Sequence, residues 1–235
     1  MVGALFEKEF PMFTLKKVLL ALALTIAAMV AFVASRPTAF VVTRSLLIRV
    51  PANVVFSQVG DFRAWPAWSP WEGLDPAMKK QFGGEAGQVG ASYAWDGNDK
   101  AGAGKMTITA VEPGSRVDIK LEFYRPWKEN YTTDFVLSPV DQGTQVTWSM
   151  RGENNFMMKA MTLFMNMDKM VGDDYERGLQ RLSAIATKEY ASRAVLENAL
   201  KASEENAAEK APETPPAILP TDPPPVAAPP ASPTP

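Results

Sequence analysis

The sequence predicts an α+β fold, in which one curved antiparallel sheet packs against a long C-terminal helix and a transmembrane helix precedes them. Three observations support this fold class. An uncharged run fills residues 18–34. Seven short segments between residues 44 and 152 alternate apolar and polar side chains, as half-buried strands do. A last segment, from about 156 to 201, carries apolar residues at helical spacing.

The composition excludes several classes of function. The chain of 235 residues has no cysteine and no histidine, and its formal net charge is -2. This composition therefore excludes disulfides, thiol nucleophiles, zinc fingers, Ser-His-Asp triads and most transition-metal sites. The near-neutral charge balance offers no basic surface for nucleic acid. We expect no cofactor, no metal site and no nucleic-acid partner.

The N-terminal segment, residues 1–37, is predicted to be a cytoplasmic stub followed by a membrane anchor. Lys16 and Lys17 precede the uncharged run, and Arg36 follows it. Its length is at the short end of the roughly 17–25 residues that span a bilayer. Lysines before the run favour a cytoplasmic N-terminus, with the rest of the chain across the membrane. A cleaved signal peptide is the alternative, because Val33-Ala34-Ser35 offers small residues for cleavage, although Glu7 and Glu9 are unusual in one.

The C-terminal segment, residues 204–235, is rich in proline and alanine and almost lacks aromatic and branched side chains. Such a composition buries too little apolar area to offset the entropy of ordering, so we expect a disordered, extended tail. A solvated spacer is the simplest interpretation, and a Pro-rich docking segment or a contact with the cell wall is the alternative.

Residues 38–203 between these segments form the predicted globular domain. A short helical segment at 51–62 follows the first strand, with Pro51 at its start. Gly, Pro, Asn and Asp residues separate the later strands, as in antiparallel hairpins. The predicted strands lie at 44–50, 79–82, 90–97, 104–113, 115–124, 130–140 and 143–152. A curved sheet of these strands buries its apolar face only if the long helix lies across it, which is the helix-grip arrangement.

The stretch DFRAWPAWSPW, residues 61–71, places three tryptophans at a spacing of three. Its prolines prevent a regular helix. We expect it to form one wall of a cavity mouth, with Trp65 in the core and Trp68 and Trp71 at the rim, facing Trp127 from the opposite hairpin. A purely structural plug is the alternative, because large aromatic side chains most often serve burial.

The alternation also predicts what lies on the inward face of the sheet. In strand 115–124, Ile119 and Phe123 share one face with other apolar residues, and the charged residues share the opposite face. Applied to the four strands at 104–113, 115–124, 130–140 and 143–152, the pattern leaves only the hydroxyls of Tyr131 and Thr133 as inward polar groups, with those of Tyr93 and Tyr175 nearby. A neutral tyrosine is a poor base, so this face suits binding of an apolar molecule better than acid–base catalysis. A solid core without a cavity is the alternative.

Three stretches together resemble the polyketide cyclase/dehydrase branch of the START-like (SRPBCC) superfamily. They are VPANVVFSQVGDFRAWPAWSPWEGLDPAMK, GQVGASYAWDG and NNFMMKAMTLFMNMDKMVGDDYERGL. The resemblance covers about 45–190 and implies a birch-allergen-like helix-grip fold with an apolar cavity between sheet and helix. The W-x-x-W-S-P-W pattern and the methionine-rich helix start resemble a bacterial subgroup with an N-terminal membrane segment. That resemblance implies a single-pass protein of the inner membrane, with its domain on the periplasmic side.

The resemblance implies the fold more strongly than the activity, because this superfamily includes lipid carriers, cyclases, hydrolases and stress-sensing binders. We expect a membrane-tethered binding domain for a hydrophobic small molecule or lipid, and the sequence names no protein partner. The residues expected to contact the ligand are Trp68, Trp71, Tyr93, Ile119, Phe123, Tyr131, Phe135, Trp148, Phe164, Met167, Val171 and Tyr175.

Two alternatives remain open. One is a cyclase, dehydratase or hydrolase acting on a hydrophobic substrate, whose candidate polar residues are Tyr93, Asp96, Tyr131, Glu153 and Arg151. The other is a non-catalytic interaction domain of the envelope. The start of the long helix, capped by Asn154 or Asn155, carries methionines that can adapt to varied ligands or simply fill a core; these are Met157, Met158, Met161, Met165, Met167 and Met170.

Overall fold

The computed structural model describes residues 12–209, which form four α-helices, one short 3₁₀ turn and seven strands. In chain order they are α1 (Met12–Ala34), β1 (Ala39–Ile48), α2 (Ala52–Val59), the 3₁₀ turn (Trp65–Ala67), β2 (Lys79–Gly83), β3 (Ser92–Asp96), β4 (Ala103–Glu112), β5 (Arg116–Arg125), β6 (Glu129–Val140), β7 (Gly143–Glu153), α3 (Phe156–Met161) and α4 (Met167–Glu209). Two compact units divide at Arg193 and Ala194, and the fold and the site described below belong to the first. In the second, α4 continues as an exposed helix.

The seven strands form one antiparallel sheet in the order β1-β7-β6-β5-β4-β3-β2, which confirms the predicted fold class. Each predicted strand is present. The first begins earlier than the predicted residue 44, because Ala39 to Thr43 already pair with β7, from Glu153 to Ser149. This pairing joins the first residue of β1 to the last residue of β7, at the end of the sheet where α3 follows.

The core lies between the inner face of the sheet, α2 and α4. On α4 the fully buried residues Tyr175, Leu179, Leu182 and Ala186 recur every three or four positions, so one stripe of the helix faces the sheet. The side chains opposite come from alternate positions of the strands, such as Ile119 of β5. The other buried members of this cluster include Val54, Val55, Val59, Trp65, Trp68, Val117, Phe135, Leu137, Val146 and Trp148.

The predicted long helix is interrupted after α3. Asn155 caps α3, because its side chain accepts a hydrogen bond from the Met158 backbone N–H at 2.9 Å, which confirms the expected asparagine cap. Asn166 then accepts a hydrogen bond from the Lys169 backbone N–H at 3.0 Å at the start of α4. A second asparagine therefore starts a new helix, and residues 162–166 form a turn that the apolar periodicity did not reveal.

Helix α1 is long and apolar enough to cross a membrane. Its segment Leu15–Ala34 has 20 residues and a mean hydropathy of 2.4, and it lies near the N-terminus, where a signal sequence would have the same properties. Residues 1–11 of the predicted cytoplasmic stub and residues 210–235 of the predicted tail lie outside the described residues. At the other end, α4 runs to Glu209, past the expected start of the tail at residue 204.

Candidate functional site

A cavity of about 330 Å³ lies between α4, the tryptophan-rich segment and the inner face of the sheet. Its wall is mainly aromatic and methionine side chains, with a few polar groups. The lining residues are Trp65, Ser69, Trp71, Glu72, Leu74, Met78, Tyr93, Trp95, Lys100, Ala101, Met106, Leu121, Phe123, Tyr131, Thr133, Trp148, Met150, Met167, Met170, Val171, Asp174 and Tyr175. The apolar faces of sheet and helix therefore leave a cavity between them.

One wall of the cavity is an aromatic stack that joins the sheet to α4. The rings of Trp148 and Tyr175 are stacked, with centroids 3.8 Å apart and planes 7° apart. Trp71 contacts both rings edge-on, at centroid distances of 5.6 and 6.0 Å. Gly178 makes room for this stack, because a Cβ there would lie 2.8 Å from Cζ3 of the Trp148 ring. These contacts hold the wall in one geometry.

The polar groups of this wall are hydrogen-bonded to one another around Thr133. The hydroxyl of Thr133 donates to the backbone carbonyl of Ser149 at 2.8 Å, and Trp148 Nε1–H donates to Thr133 Oγ1 at 2.9 Å. The Tyr175 hydroxyl lies 3.3 Å from the same Oγ1. Since the single hydroxyl hydrogen of Thr133 is used by Ser149, Tyr175 is the donor in this last contact.

A carboxylate also lines the cavity. Glu72 follows the tryptophan-rich segment directly, and its side chain is only 9% exposed. The Tyr93 hydroxyl donates to Glu72 Oε1 at 2.9 Å, and Lys80 forms an ion pair with Glu72 Oε2. Lys100 and Asp174 also line the cavity. The prediction that hydroxyls are the only polar groups facing the cavity holds for the strand residues but is wrong for the cavity as a whole. Glu72, Lys100 and Asp174 come from loops or α4, where the alternation of strand residues carries no information.

The tyrosine hydroxyls of the cavity are held in the neutral form. Burial, above all, and then the hydrogen bond and charge of Glu72 raise the pKa of Tyr93. Burial and the charge of Glu129 raise the pKa of Tyr131 to about 12, and burial raises the pKa of Tyr175. At neutral pH these groups are neutral and are not bases. The hydroxyls of Tyr93 and Tyr175 already donate to Glu72 and Thr133, so towards a ligand they can only accept, whereas the Tyr131 hydroxyl can also donate.

Eight of the twelve residues predicted to contact a ligand line this cavity: Trp71, Tyr93, Phe123, Tyr131, Trp148, Met167, Val171 and Tyr175. The other four do not line it. Trp68, Ile119 and Phe135 are fully buried in the core, and Phe164 is 82% exposed. Phe164 lies in the turn between α3 and α4, where the periodicity of one continuous helix does not apply.

The tryptophan-rich stretch is divided between core and cavity wall. Trp65 is buried as expected, and Nε1–H of its indole donates to the Val59 carbonyl at 3.1 Å. Trp68 is fully buried against Trp65, Phe135 and Trp148, so the prediction of a rim position was wrong for this residue. Trp71 is half-buried and contacts Trp148 and Tyr175.

A second cavity, of about 270 Å³, lies beside the first, and Trp127 lines it. The expectation that Trp127 faces Trp68 and Trp71 was wrong, because Trp127 lines this second cavity together with methionines of the α3–α4 region and does not line the first. Four residues line both cavities, namely Phe123, Tyr131, Met167 and Met170, and the others lining the second are Pro126, Trp127, Glu129, Met158, Met161 and Met165.

Most of the polar residues proposed for an enzyme lie elsewhere. Asp96 forms an ion pair with Arg125, and Arg151 contacts the buried Asp134 carboxylate at 2.6 Å. Neither Asp96, Arg151 nor Glu153 lines the cavity, whereas Tyr93 and Tyr131 do. Within residues 12–209, no three acidic side chains come together in a way that could hold a metal ion.

This architecture, a seven-stranded sheet gripping a long helix over a largely apolar cavity, defines a helix-grip protein. Residues 39–187 match the family described as polyketide cyclase / dehydrase and lipid transport, and the chain belongs to this family. A search of curated protein sequences gives no match.

Solved structures of the same fold cover most of the domain at low identity. The di-domain ARO/CYC StfQ from the steffimycin biosynthetic pathway has a TM-score of 0.50 and 10% identity, and the match covers 65% of this chain and 52% of that one. Protein CV1439 from Chromobacterium violaceum has a TM-score of 0.47 and 13% identity, and the match covers 62% of this chain and 96% of that one. Ginseng major latex-like protein 151 from Panax ginseng has a TM-score of 0.46 and 16% identity, and the match covers 63% of this chain and 98% of that one. At these identities the similarity concerns the fold alone.

Proposed function

We propose that this protein is a membrane-tethered binding domain that holds one hydrophobic small molecule or lipid in the cavity beside α4. The single observation that carries the proposal is the cavity itself, about 330 Å³ of space lined mainly by apolar side chains. Ligand pockets of about this volume, apolar with a few fixed polar groups, are typical of small-molecule sites. The family description, which includes lipid transport, is consistent with such a ligand.

The polar groups of the cavity are arranged to orient a ligand that has one polar end. Glu72 offers carboxylate lone pairs beyond those used by Tyr93 and Lys80, so it can accept a hydrogen bond from a ligand hydroxyl or amine. The apolar remainder of the ligand would then contact the aromatic wall of Trp71 and Trp148 and the methionines of α4. Burial of such a ligand contributes about 25 cal/mol per Å² of apolar surface.

The tether in this proposal is α1. Leu15–Ala34 has the length and hydropathy of a membrane span, and Lys16 and Lys17 at its start favour a cytoplasmic N-terminus. The domain would then lie on the periplasmic side of a bacterial inner membrane. A full-length fusion to an enzyme reporter that is active only outside the cytoplasm tests this orientation. Activity of a cytoplasm-specific reporter at the same position, or release of a shortened soluble protein, would contradict it.

A second candidate function is catalysis on a hydrophobic substrate. The observation that favours it is the Glu72 carboxylate in the cavity wall, hydrogen-bonded to Tyr93 and paired with Lys80. Glu72 could take a proton from a bound molecule while Tyr93 and Lys80 hold its carboxylate in place. Mass spectrometry of apolar molecules that copurify with the full chain, compared with those from Glu72→Gln, separates the two functions. A binder retains the same molecules in both, whereas an enzyme yields a chemically altered product with the parent only.

The binding proposal is tested by filling the cavity with a side chain. Thr133→Trp would break the hydrogen bonds around Thr133, so Val171→Trp on α4 is the cleaner change. The exposed Lys169 lies two positions away on the same helix, and Lys169→Trp is the matched control. Titration of the detergent-solubilised full chain with the fluorescent probe N-phenyl-1-naphthylamine should show saturable binding by the parent and the control and at least about tenfold weaker binding by Val171→Trp. No binding by the parent, or equal binding by all three, contradicts the proposal.

A further inference from the structure

We propose that the apolar patch formed by Phe156, Met157, Phe164 and Met165 lies on the lipid surface and forms the portal through which an apolar ligand passes between the bilayer and the cavity. The portal patch, as we name these four residues, occupies α3 and the turn that follows it. This inference rests on the proposed tether and cavity, and it adds the face of the domain that meets the membrane and the direction from which the ligand comes.

The length of the linker after α1 fixes the position of this face. Helix α1 ends at Ala34 and β1 begins at Ala39, so residues 35–38 alone connect them. Such a linker spans at most about 14 Å, at 3.3–3.6 Å per residue. Ala39 pairs with Glu153, and the Asn154 N–H donates to the Thr38 carbonyl at 2.7 Å. The junction between β7 and α3 must therefore lie beside the end of α1.

Direct contacts between α1 and α3 lead to the same placement. Lys159 of α3 donates from Nζ to the Ala34 carbonyl at 3.4 Å. Val33, in the last turn of α1, is only 2% exposed, in contrast to the exposed apolar residues in the rest of its span. The two helices are in contact along this turn. With α1 in a bilayer, α3 lies at the level where the helix leaves the lipid.

The side chains on this face are those expected at a lipid surface. All four side chains of the portal patch are exposed to solvent, and Phe164 is 82% exposed. Trp127 is 54% exposed and lines the second cavity together with methionines of α3. An exposed apolar cluster of this kind marks an interaction surface, and tryptophan favours the interface between water and lipid. Lys159 of α3 brings a positive charge to the same region and can contact anionic headgroups, whereas Glu129 is hydrogen-bonded to Asn155.

The second cavity connects the portal patch to the first cavity. Met165 belongs to the portal patch and lines the second cavity, whose wall also includes Met158 and Met161. Phe123, Tyr131, Met167 and Met170 line both cavities, so these four side chains border both spaces. Two of the four are methionines of α4, whose unbranched side chains change rotamer readily, so in this proposal the ligand passes beside Met167 and Met170 without movement of the sheet.

The position of the portal patch is tested by depth measurements, for which a chain without cysteine is well suited. Single variants Met157→Cys and Phe164→Cys, labelled with a nitrobenzoxadiazole fluorophore, are reconstituted as full chains in vesicles of phosphatidylcholine and phosphatidylglycerol. The control is Val140→Cys, an exposed residue in the hairpin at the opposite end of β7, about 30 Å along the strand. Lipids with brominated acyl chains should quench the labels at 157 and 164 and leave the label at 140 unchanged. Equal and weak quenching at all three positions overturns the proposal. Quenching that depends on the density of protein in the vesicles, and not on bromine, also overturns it, because it would indicate that a second copy of the chain covers this face.

The portal role is tested by the rate of uptake. The double change Met157→Asp with Phe164→Asp places charges on the patch without altering any residue that lines either cavity. We expect uptake of N-phenyl-1-naphthylamine from vesicles to slow by about tenfold or more relative to Val140→Asp, with equilibrium binding in detergent unchanged. An unchanged uptake rate overturns the portal. Failure of the parent to bind the probe in detergent contradicts the proposed function instead, while the quenching experiment still reports on the position of the patch.

Discussion

Two buried tryptophans three residues apart differ in one hydrogen bond, and the difference predicts unequal effects of the same substitution. Trp65 and Trp68 are both at most 2% exposed, with ring centroids 4.8 Å apart. The Trp65 indole N–H donates to the Val59 carbonyl at 3.1 Å. The Trp68 indole N–H is equally buried and has no acceptor among residues 12–209. Replacement of each by phenylalanine therefore tests the hydrogen bond separately from the ring.

The magnitude follows from what each change removes. Trp65→Phe and Trp68→Phe delete the same atoms from the same cluster, so the lost contacts and the remaining void are similar and largely cancel in the comparison. Trp65→Phe also deletes a hydrogen bond and leaves the Val59 carbonyl without this donor, whereas Trp68→Phe removes a donor that had no partner. We expect Trp65→Phe to lower the free energy of unfolding by about 1–3 kcal/mol more than Trp68→Phe does.

Urea unfolding of the full chain in a mild detergent, followed by near-ultraviolet circular dichroism, measures this difference by linear extrapolation. Trp127→Phe serves as a baseline for the loss of an exposed indole, since Trp127 is 54% exposed. Equal costs for the two buried positions, or a larger cost at Trp68, would refute the reasoning, because the Trp68 N–H would then have a hydrogen bond in solution.

Two other substitutions test the aromatic wall and the neutral hydroxyls. Gly178→Ala should lower the free energy of unfolding by about 1–2 kcal/mol, despite the better helix propensity of alanine, because the new Cβ would lie 2.8 Å from the buried Trp148 ring. Gly73→Ala, whose Cβ would meet no atom within 4 Å, should cost less in the same urea experiment, and equal costs would contradict the packing argument. The pKa of Tyr131 rises from 10.0 to about 12 on folding, so its stabilising effect is complete below pH 10 and is lost as the pH rises towards 12. Tyr131→Phe should therefore reduce the fall in Tm over this range, and a parallel fall in parent and variant would argue against it.

The strands could be predicted from the sequence because their burial alternates. In β5, Val117 and Ile119 are fully buried, as the period of two requires. The turn at residues 162–166 could not be predicted in this way, because an apolar periodicity does not show whether the backbone continues through it. Asn166 was the available signal, since an asparagine followed by a helix-forming segment is typical of a helix start. The placement of Phe164 was wrong for this reason.

The candidate site was harder to predict where the backbone is irregular. Trp68 and Trp71 belong to the same series of tryptophans at a spacing of three and both lie close to Pro70, yet Trp68 is fully buried and Trp71 lines the cavity. Which ring is buried depends on the path of the chain after the 3₁₀ turn, and no periodic pattern encodes that path. Glu72 was missed for the same reason, because its pairing with Tyr93 and Lys80 joins residues from three separate segments.

The four-residue connection between α1 and β1 has a consequence for how far the protein can carry a ligand. With α1 in a bilayer, the domain cannot travel across an aqueous compartment, since its reach is about 14 Å and Pro37 stiffens the connection further. Under the proposed function, the cavity would then sample only the lipid around its own anchor, where a short tether keeps the local concentration high. The ligand would arrive by diffusion within the plane of the membrane, and its transfer would require the next acceptor to approach the same surface.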